Sequence, residues 1–507
     1  MDHVRRTCET DPERGWRDAL IGFRGNTWGS RHLPNFHAAR GYHKLEAYTL
    51  GLVSDQLGHE SNYVWGNVFA PVEIMECFGL GTVSVECLAS FFSGYHAAPY
   101  FIDRAQESGI ASTLCTYHKT VMGMMETGVL HAPRLAVTTS CACDGNLSTF
   151  RQLGQRMDVP MVLLDVPYDN DDASIDYLAD QLRELARTLE KLTGTPFDES
   201  RLSHLLEVER ETNALAWEFM RLQAEHFYPA EFIHHLFFVL AMQLSAGSEE
   251  LCDLLRFMVD DIKRAPRLQG DKILWVHLMP YYQQSLKTAF DYSPNHQIVA
   301  VDMAFCTMSD LDDADPFRAL AKKLVGNAMN GPYERKIELV DRLLDATHAD
   351  GVIHFCHWGC KQSSGGSALL REHLHEVGVP LLQLDGDGID ERNSHDGQIK
   401  TRLEAFFEVL EAKRAEGAAQ GGNVNGESTA QSGTAETKGG ARRGSGMSAN
   451  TSPPRRSRRW ARIWSASSPM RASSASTLPS LACTRTCAVS RRRRSRPSFR
   501  VTLTASC

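Results

Sequence analysis

No stretch of this chain is apolar for long enough to cross a bilayer; the most apolar run, Phe237 to Leu244, stops well short of a membrane span. The opening residues, Met1-Asp2-His3-Val4-Arg5-Arg6, lack the apolar core of a secretory leader, so a cytoplasmic protein with no membrane partner is expected. A G-x-x-x-x-G-K motif followed by Ser or Thr is missing, so any ATP hydrolysis linked to this protein should occur on another chain. Tight C-x-x-C pairs are missing too. Positive charge is scarce in the body. From Arg414 onward there are 17 Lys and Arg against three Asp and Glu, so the formal net charge of −8 leaves the first 413 residues at −22. A body that acidic argues against nucleic acid as partner.

What is present is an α/β pattern. Arg134 to Ser140 is rich in β-branched residues and reads as a strand. The loop Cys141-Ala142-Cys143-Asp144-Gly145 follows, then a short helix through Phe150, Leu153 and Met157, then Val159-Pro160 and a second strand from Met161 to Asp165. A later segment repeats the plan. Gly351 to Phe355 is a strand, Cys356, His357, Trp358, Gly359 and Cys360 form a loop, and Ser367 to Val377 is a helix. Val379-Pro380 then leads into Leu381 to Asp385. Lys272 to Leu278 and Gln297 to Met303 are further strands. Residues 173–193 carry an apolar stripe at helical spacing, with Gly194 in the capping position. More helix is expected from about Arg201 to Leu244.

The expected fold class is α/β, with two related open parallel-sheet domains, a helical linker and insert, and a disordered C-terminal tail. Residues 1–45 form an irregular N-terminal extension, 46–200 the first α/β domain, 201–270 a helical segment, 271–413 the second α/β domain, and 414–507 the basic tail. Loops at the carboxyl ends of parallel strands line the binding crevice of such sheets. Both cysteine loops hold that position, so the cysteines should converge between the domains. The tail turns to Gly, Ala, Ser and then Arg and Pro, a composition that cannot bury enough surface to offset ordering entropy. Runs such as Arg491-Arg492-Arg493-Arg494 suit polyanions, but so abrupt a change after a complete domain reads more readily as sequence translated out of frame.

There are 13 cysteines, and in a reducing compartment those that cluster are candidates for metal or catalysis. The candidates are Cys115, the Cys141/Cys143 pair and the Cys356/Cys360 pair. Thiolates are the ligands of iron–sulfur clusters and of zinc. The competing reading is that some are small buried hydrophobes, which is the one preferred for Cys77, Cys87, Cys252 and Cys306. Cys8, in a polar stretch, is read as a solvated thiol, and Cys483, Cys487 and Cys507 receive no role.

Three motifs carry a resemblance. They are Leu114-Cys115-Thr116-Tyr117-His118-Lys119, then Cys143-Asp144-Gly145, then Asp350-Gly351-Val352-Ile353 followed by His357-Trp358-Gly359-Cys360-Lys361-Gln362. In order and spacing they resemble the family of 2-hydroxyacyl-CoA dehydratase and ATP-dependent benzoyl-CoA reductase subunits. Pro71-Val72-Glu73-Ile74 and Thr401-Arg402-Leu403-Glu404-Ala405-Phe406 fit its flanking patterns, and the similarity spans roughly residues 45–412. The resemblance implies a 4Fe–4S cluster on Cys115, Cys143 and Cys360, or a larger double-cubane cluster if both members of a pair bind. It implies a lyase: one low-potential electron added to the thioester gives a ketyl radical that expels the 2-hydroxyl, loses a β-proton and returns the electron. It also implies a homologous sister subunit in an oxygen-sensitive heterodimer, an ATP-dependent iron–sulfur activator protein and an acyl-CoA substrate. Glu73 falls where the family has an acidic residue near the active site; it either moves a proton or is an ordinary carboxylate favoured at a helix start. His357 and Trp358 either contact substrate or support the neighbouring ligand, and Gln362 to Ser367 either cradles a CoA phosphate or only turns the chain. The alternatives to a dehydratase are a reductase that keeps the electrons in product, a non-catalytic electron-transfer or partner subunit, and a zinc-stabilised structural protein.

Overall fold

The computed structural model describes residues 2–58, 63–308 and 311–423, with side chains to Glu416. Among these residues eight short strands form two sheets. The first contains β1 (Tyr63–Gly66), β2 (Gly81–Ser84), β3 (Ala136–Thr139) and β4 (Met161–Leu164); the second contains β5 (Asp271–Val276), β6 (His296–Val301), β7 (Gly351–His357) and β8 (Leu381–Gly386). All pairings are parallel, and the spatial orders are β2-β1-β3-β4 and β6-β5-β7-β8. The two sheets therefore share one winding, second strand outermost, then first, third and fourth. That identity is stronger support for related halves than the shared Val-Pro and Leu-Asp punctuation. Both sheets lie within one compact unit, and a single apolar core runs through them.

Parallel strands are covered on both faces, which is why β1, β3 and β7 are buried at every position. In each sheet the chain leaves the first strand in one direction and returns to its other side for the third. The crevice of such a sheet opens at that reversal, outside the carboxyl ends of the strands. Here it lies between β1 and β3 and between β5 and β7. Asn67, just past β1, spans the first: its amide donates to Thr139 Oγ1 at 3.0 Å and accepts from Thr139 N at 3.3 Å.

Several expectations need correction. Residues 1–40 are not irregular: Asp2–Thr10 and Pro12–His32 are helices. Their apolar stripes are thin, Val4 with Cys8 and Trp16 with Ala19 and Phe23, and so are easily lost among polar neighbours. Cys8 is fully buried rather than solvated, packed on Gly15, where a Cβ would come within 2.5 Å of its sulfur. The helix expected over 201–244 is two helices, Glu199–Gln223 and His234–Leu244, with Pro229 in the break. The last helix, Asp396–Asn423, runs through the proposed start of the tail, and Arg414 pairs with Asp271 at the start of β5. Its Glu-Ala-Lys-Arg-Ala-Glu composition favours helix. The expectations for the rest of the tail lie outside the described residues.

One glycine ties the fold to the crevice. The helix Thr116–Glu126 crosses the helix Ala98–Glu107 at Gly123, where a Cβ would sit 1.8 Å from the carbonyl oxygen of Phe101. Backbone cannot yield as a side chain tip can. Gly123→Ala is expected to cost about 3 kcal/mol, the upper end for overpacking, as read from anaerobic urea unfolding. A loss below about 0.5 kcal/mol would mean the two helices separate freely.

Candidate functional site

Each of three cysteines stands immediately before a helix. Cys115 precedes Thr116–Glu126, Cys143 precedes Asp144–Met157 and Cys360 precedes Lys361–Ser364; none of the sulfurs closes an N-cap hydrogen bond. Cys143 and Cys360 follow β3 and β7, the third strand of each sheet, as the repeated plan anticipated. Cys115 comes from the loop after Ala98–Glu107. All three thiols are partly exposed, whereas Cys141 and Cys356 are buried, Cys141 in the apolar core and Cys356 inside β7.

The three loops touch. Gly359, with φ +79°, lies so close to the first loop that a Cβ would sit 3.1 Å from the Cys115 backbone. Lys361 Nζ donates to Asp144 Oδ2 at 2.6 Å, joining the residues that follow Cys360 and Cys143. Both partners are exposed, so this pair aligns the loops more than it stabilises them. Thr116 Oγ1 donates to Asp387 Oδ1 at 2.6 Å, tying the first cysteine helix to the segment after β8.

Every cysteine faces a different histidine. Cys115 Sγ is 3.2 Å from His357 Nε2, Cys143 Sγ is 3.3 Å from His118 Nε2, and Cys360 Sγ is 3.4 Å from His277 Nε2. Burial holds the imidazoles neutral: it lowers His118 and His357 to about 4 and His277 well below its ordinary value, with Lys336 reinforcing the last. Burial also raises the thiols, Cys143 to about 11, Cys115 well above its ordinary value, and Cys360 in the same direction. Cys360 and Cys143 further raise Cys115, so the three sulfurs sense one another. Backbone N–H groups of the following turns oppose this, Tyr117 at Cys115, Asn146 at Cys143 and Ser363 at Cys360. At neutral pH these are thiols, poor nucleophiles, which become thiolates when a metal replaces the proton.

Among the described residues no three His, Cys, Asp or Glu side chains are arranged to hold one metal ion. A single tetrahedral ion needs its sulfurs within about 4 Å of each other. A four-iron cluster offers its irons at separate corners and is served by thiols set wider apart. Three partly exposed thiols on three loops, each facing a neutral imidazole, fit such a cluster in donor chemistry.

The other expected site residues are placed as follows. Glu73 lies in the first turn of Val72–Glu76, beyond the carboxyl end of β1, and is fully buried. Its Oε1 accepts from Lys323 Nζ at 2.5 Å; Lys323 also binds Glu209 Oε1 at 2.6 Å, and Glu73 Oε2 has no hydrogen-bond partner. No hydrogen bond or ion pair joins Glu73 to the cysteines among the described residues. Trp358 is 52 % exposed, whereas His357 is fully buried. In the Gln362 to Ser367 turn, Ser363 and Ser364 donate to the Phe355 and Cys360 carbonyls. A Cβ on Gly366 would strike the Tyr333 ring at 2.2 Å, so this glycine serves a close approach. His118, His277 and Lys336 were not singled out from the sequence. His277 follows β5 directly, across the reversal from Cys360, and that position at a strand's carboxyl end was the available signal. A separate cavity of about 750 Å³, lined by Arg31, Arg40, Lys44 and Phe257 among others, contains none of the cysteines.

Comparison with known proteins bears on this arrangement. Residues 67–410 match the sequence profile of the family described as 2-hydroxyglutaryl-CoA dehydratase, D-component. The chain is 22 % identical over 368 residues to the (R)-phenyllactyl-CoA dehydratase alpha subunit of Clostridium sporogenes, covering 68 % of this chain and 88 % of that one. It is 24 % identical to the lactoyl-CoA dehydratase alpha subunit of Anaerotignum propionicum, over 69 % of this chain and 91 % of that one. It is 23 % identical to one of the subunits of benzoyl-CoA reductase from Thauera aromatica, over 61 % and 80 % of the two chains. No helix among the described residues is long and apolar enough to cross a membrane.

Proposed function

The chain belongs to the 2-hydroxyglutaryl-CoA dehydratase D-component family, and from that premise we propose that it is the iron–sulfur subunit of a two-subunit dehydratase acting on a 2-hydroxyacyl-CoA. What supports this most directly is the convergence of Cys115, Cys143 and Cys360 from three separate segments, each sulfur facing a neutral histidine. The dehydratase relatives are named alpha subunits, which supports a sister subunit. The resemblance implies a separate ATP-dependent activator, and the missing nucleotide motif accords with ATP hydrolysis on another chain. A 4Fe–4S cluster bound by the three thiolates would supply one-electron transfer and an iron open to a substrate oxygen.

This chain's own residues do the remaining work. The cysteines would hold the group at the crevice mouth, and the neutral histidines beside them would add no charge to it. Asn67 and the Lys361–Asp144 pair keep the loops in register. Glu73 Oε2, unpartnered and buried, is the atom assigned to accept or return a proton. The benzoyl-CoA reductase relative favours a second reading, a reductase that retains the electrons in product.

The test is anaerobic purification with the sister subunit, followed by iron, sulfide and zinc analysis. About four iron and four sulfide per chain are expected. Incubation with activator, ATP and 2-hydroxyacyl-CoA should give enoyl-CoA without stoichiometric use of the electron donor. Stoichiometric donor use would make the protein a reductase. Zinc without iron would remove the cluster reading.

A further inference from the structure

His357 and His277 are held so that their tautomers follow from hydrogen-bond geometry alone. His357 Nδ1 accepts the backbone N–H of Gly388 at 2.9 Å. A backbone N–H can only donate, so Nδ1 carries no proton and the ring's single proton is on Nε2. Nε2 is the atom 3.2 Å from Cys115 Sγ. The 3.8 Å approach of Asp387 to His357 Nδ1 is therefore not an ion pair, because the nitrogen facing it is an acceptor.

His277 repeats the arrangement with a different donor. Lys336 Nζ lies 3.2 Å from His277 Nδ1, and the fully buried Lys336 has the Asp302 carboxylate 3.5 Å away to balance its charge. An ammonium only donates, so here too Nδ1 accepts and Nε2–H faces Cys360 Sγ at 3.4 Å. The backbone is fixed with equal care. His277 adopts φ +76°, unusual for a residue with a side chain, and Asp302 Oδ1 holds its N–H at 2.7 Å. His118 faces Cys143 without a comparable donor on Nδ1 among the described bonds, so it stands outside the argument.

We infer that His357 and His277 are positioning residues, locked as Nε2–H tautomers by Gly388 and Lys336, that donate to the Cys115 and Cys360 sulfurs and thereby raise the reduction potential of the group those cysteines hold. The inference rests on the cluster reading above. The physical basis is that N–H bonds to ligand sulfur withdraw charge and favour the reduced state, one of the means by which protein sets cluster potential.

The first measurement needs no cluster. Nitrogen-15 NMR of the imidazoles in the cluster-free full chain should show both histidines as Nε2–H tautomers; an Nδ1–H tautomer at either overturns the inference whatever the iron content. The second is a dye-mediated redox titration, followed by EPR, of the loaded two-subunit complex and of its His357→Phe and Lys336→Met variants. Each variant should need a more negative potential, the ratio of reduced to oxidised cluster at fixed poise falling about tenfold, or about 59 mV for one electron. His357→Gln, which restores an N–H donor, should recover most of that loss. Unchanged poise in an iron-replete His357→Phe complex overturns the inference. Iron absent from the wild-type complex overturns the cluster reading on which it rests and leaves the tautomers to be judged by NMR.

Discussion

Cys115→Ala, Cys143→Ala and Cys360→Ala are each expected to lose essentially all iron and sulfide while leaving the stability of the cluster-free protein nearly unchanged. Cys141→Ala and Cys356→Ala should do the reverse. The contrast follows from where the sulfurs sit. The first three stand before helices without capping them, and are partly exposed. Alanine there forfeits only weak sulfur contacts, those of the following backbone N–H and the facing imidazole, which water entering these partly exposed positions can replace, so a change of only a few tenths of a kcal/mol is expected. Cys141 is fully buried and Cys356 is 3 % exposed inside β7, and truncating either leaves a void costing about 1 kcal/mol. Burial also raises Cys141 to about 12 and Cys356 to about 11, which suits inert core thiols. Anaerobic urea unfolding of the apo-proteins, with iron and sulfide analysis of the reconstituted ones, separates the two groups. Iron lost from Cys141→Ala or Cys356→Ala as well would point to a larger cluster using both members of a pair. Iron retained in Cys143→Ala but lost in Cys141→Ala would move the ligand two residues back along the loop.

Why those cysteines were legible while their partners were not has a physical answer. The strands carry β-branched runs such as Leu135 to Thr139 and Gln297 to Val301, and their ends are punctuated by Val-Pro or Asp-Gly, so strand–loop–helix order survives in one dimension. A cysteine at the end of such a strand inherits a predictable position. His277 sits in Lys272 to Leu278, where it reads as one more alternating strand residue. Its role depends on a left-handed backbone and on Lys336, 59 residues away. His357 depends on Gly388, 31 residues on. Partners at such separations leave no local period. The N-terminal helices were missed for a different reason: their buried faces are only a few residues wide, so local composition outweighed periodicity. Glu73 shows the same limit, since its Pro71-Val72-Glu73-Ile74 motif was visible through the resemblance while Lys323 lies 250 residues away.

That distant pairing yields the second large effect. Lys323→Met is expected to destabilise the protein by about 3–5 kcal/mol near pH 8, because it leaves Glu73 and Glu209 buried together without a cation. Lys323 joins three elements, Val72–Glu76, Glu199–Gln223 and Pro316–Val325, so the loss falls on the packing of both halves. The triad carries one cation for two carboxyls, and one of them keeps its proton. Burial raises Glu209 to about 8, with Glu73 adding to the rise and Lys323 opposing it. A folded-state value above the unfolded one means that the folded protein binds an extra proton between about pH 4.5 and pH 8. Stability should therefore fall as pH rises through that window. Glu209→Gln, which cannot titrate yet fills the same space, should flatten the dependence. The Lys323→Met penalty should shrink toward pH 5, where Glu209 is neutral, and largely vanish in Lys323→Met/Glu73→Gln/Glu209→Gln. Urea unfolding of the four proteins at pH 5, 6.5 and 8 supplies the comparison. A penalty below about 1 kcal/mol at pH 8, or one indifferent to pH, would mean that water reaches the carboxylates. Glu73 would then be solvated and open to exchange protons with the crevice, whereas the full penalty requires that it do so only when the ion triad opens.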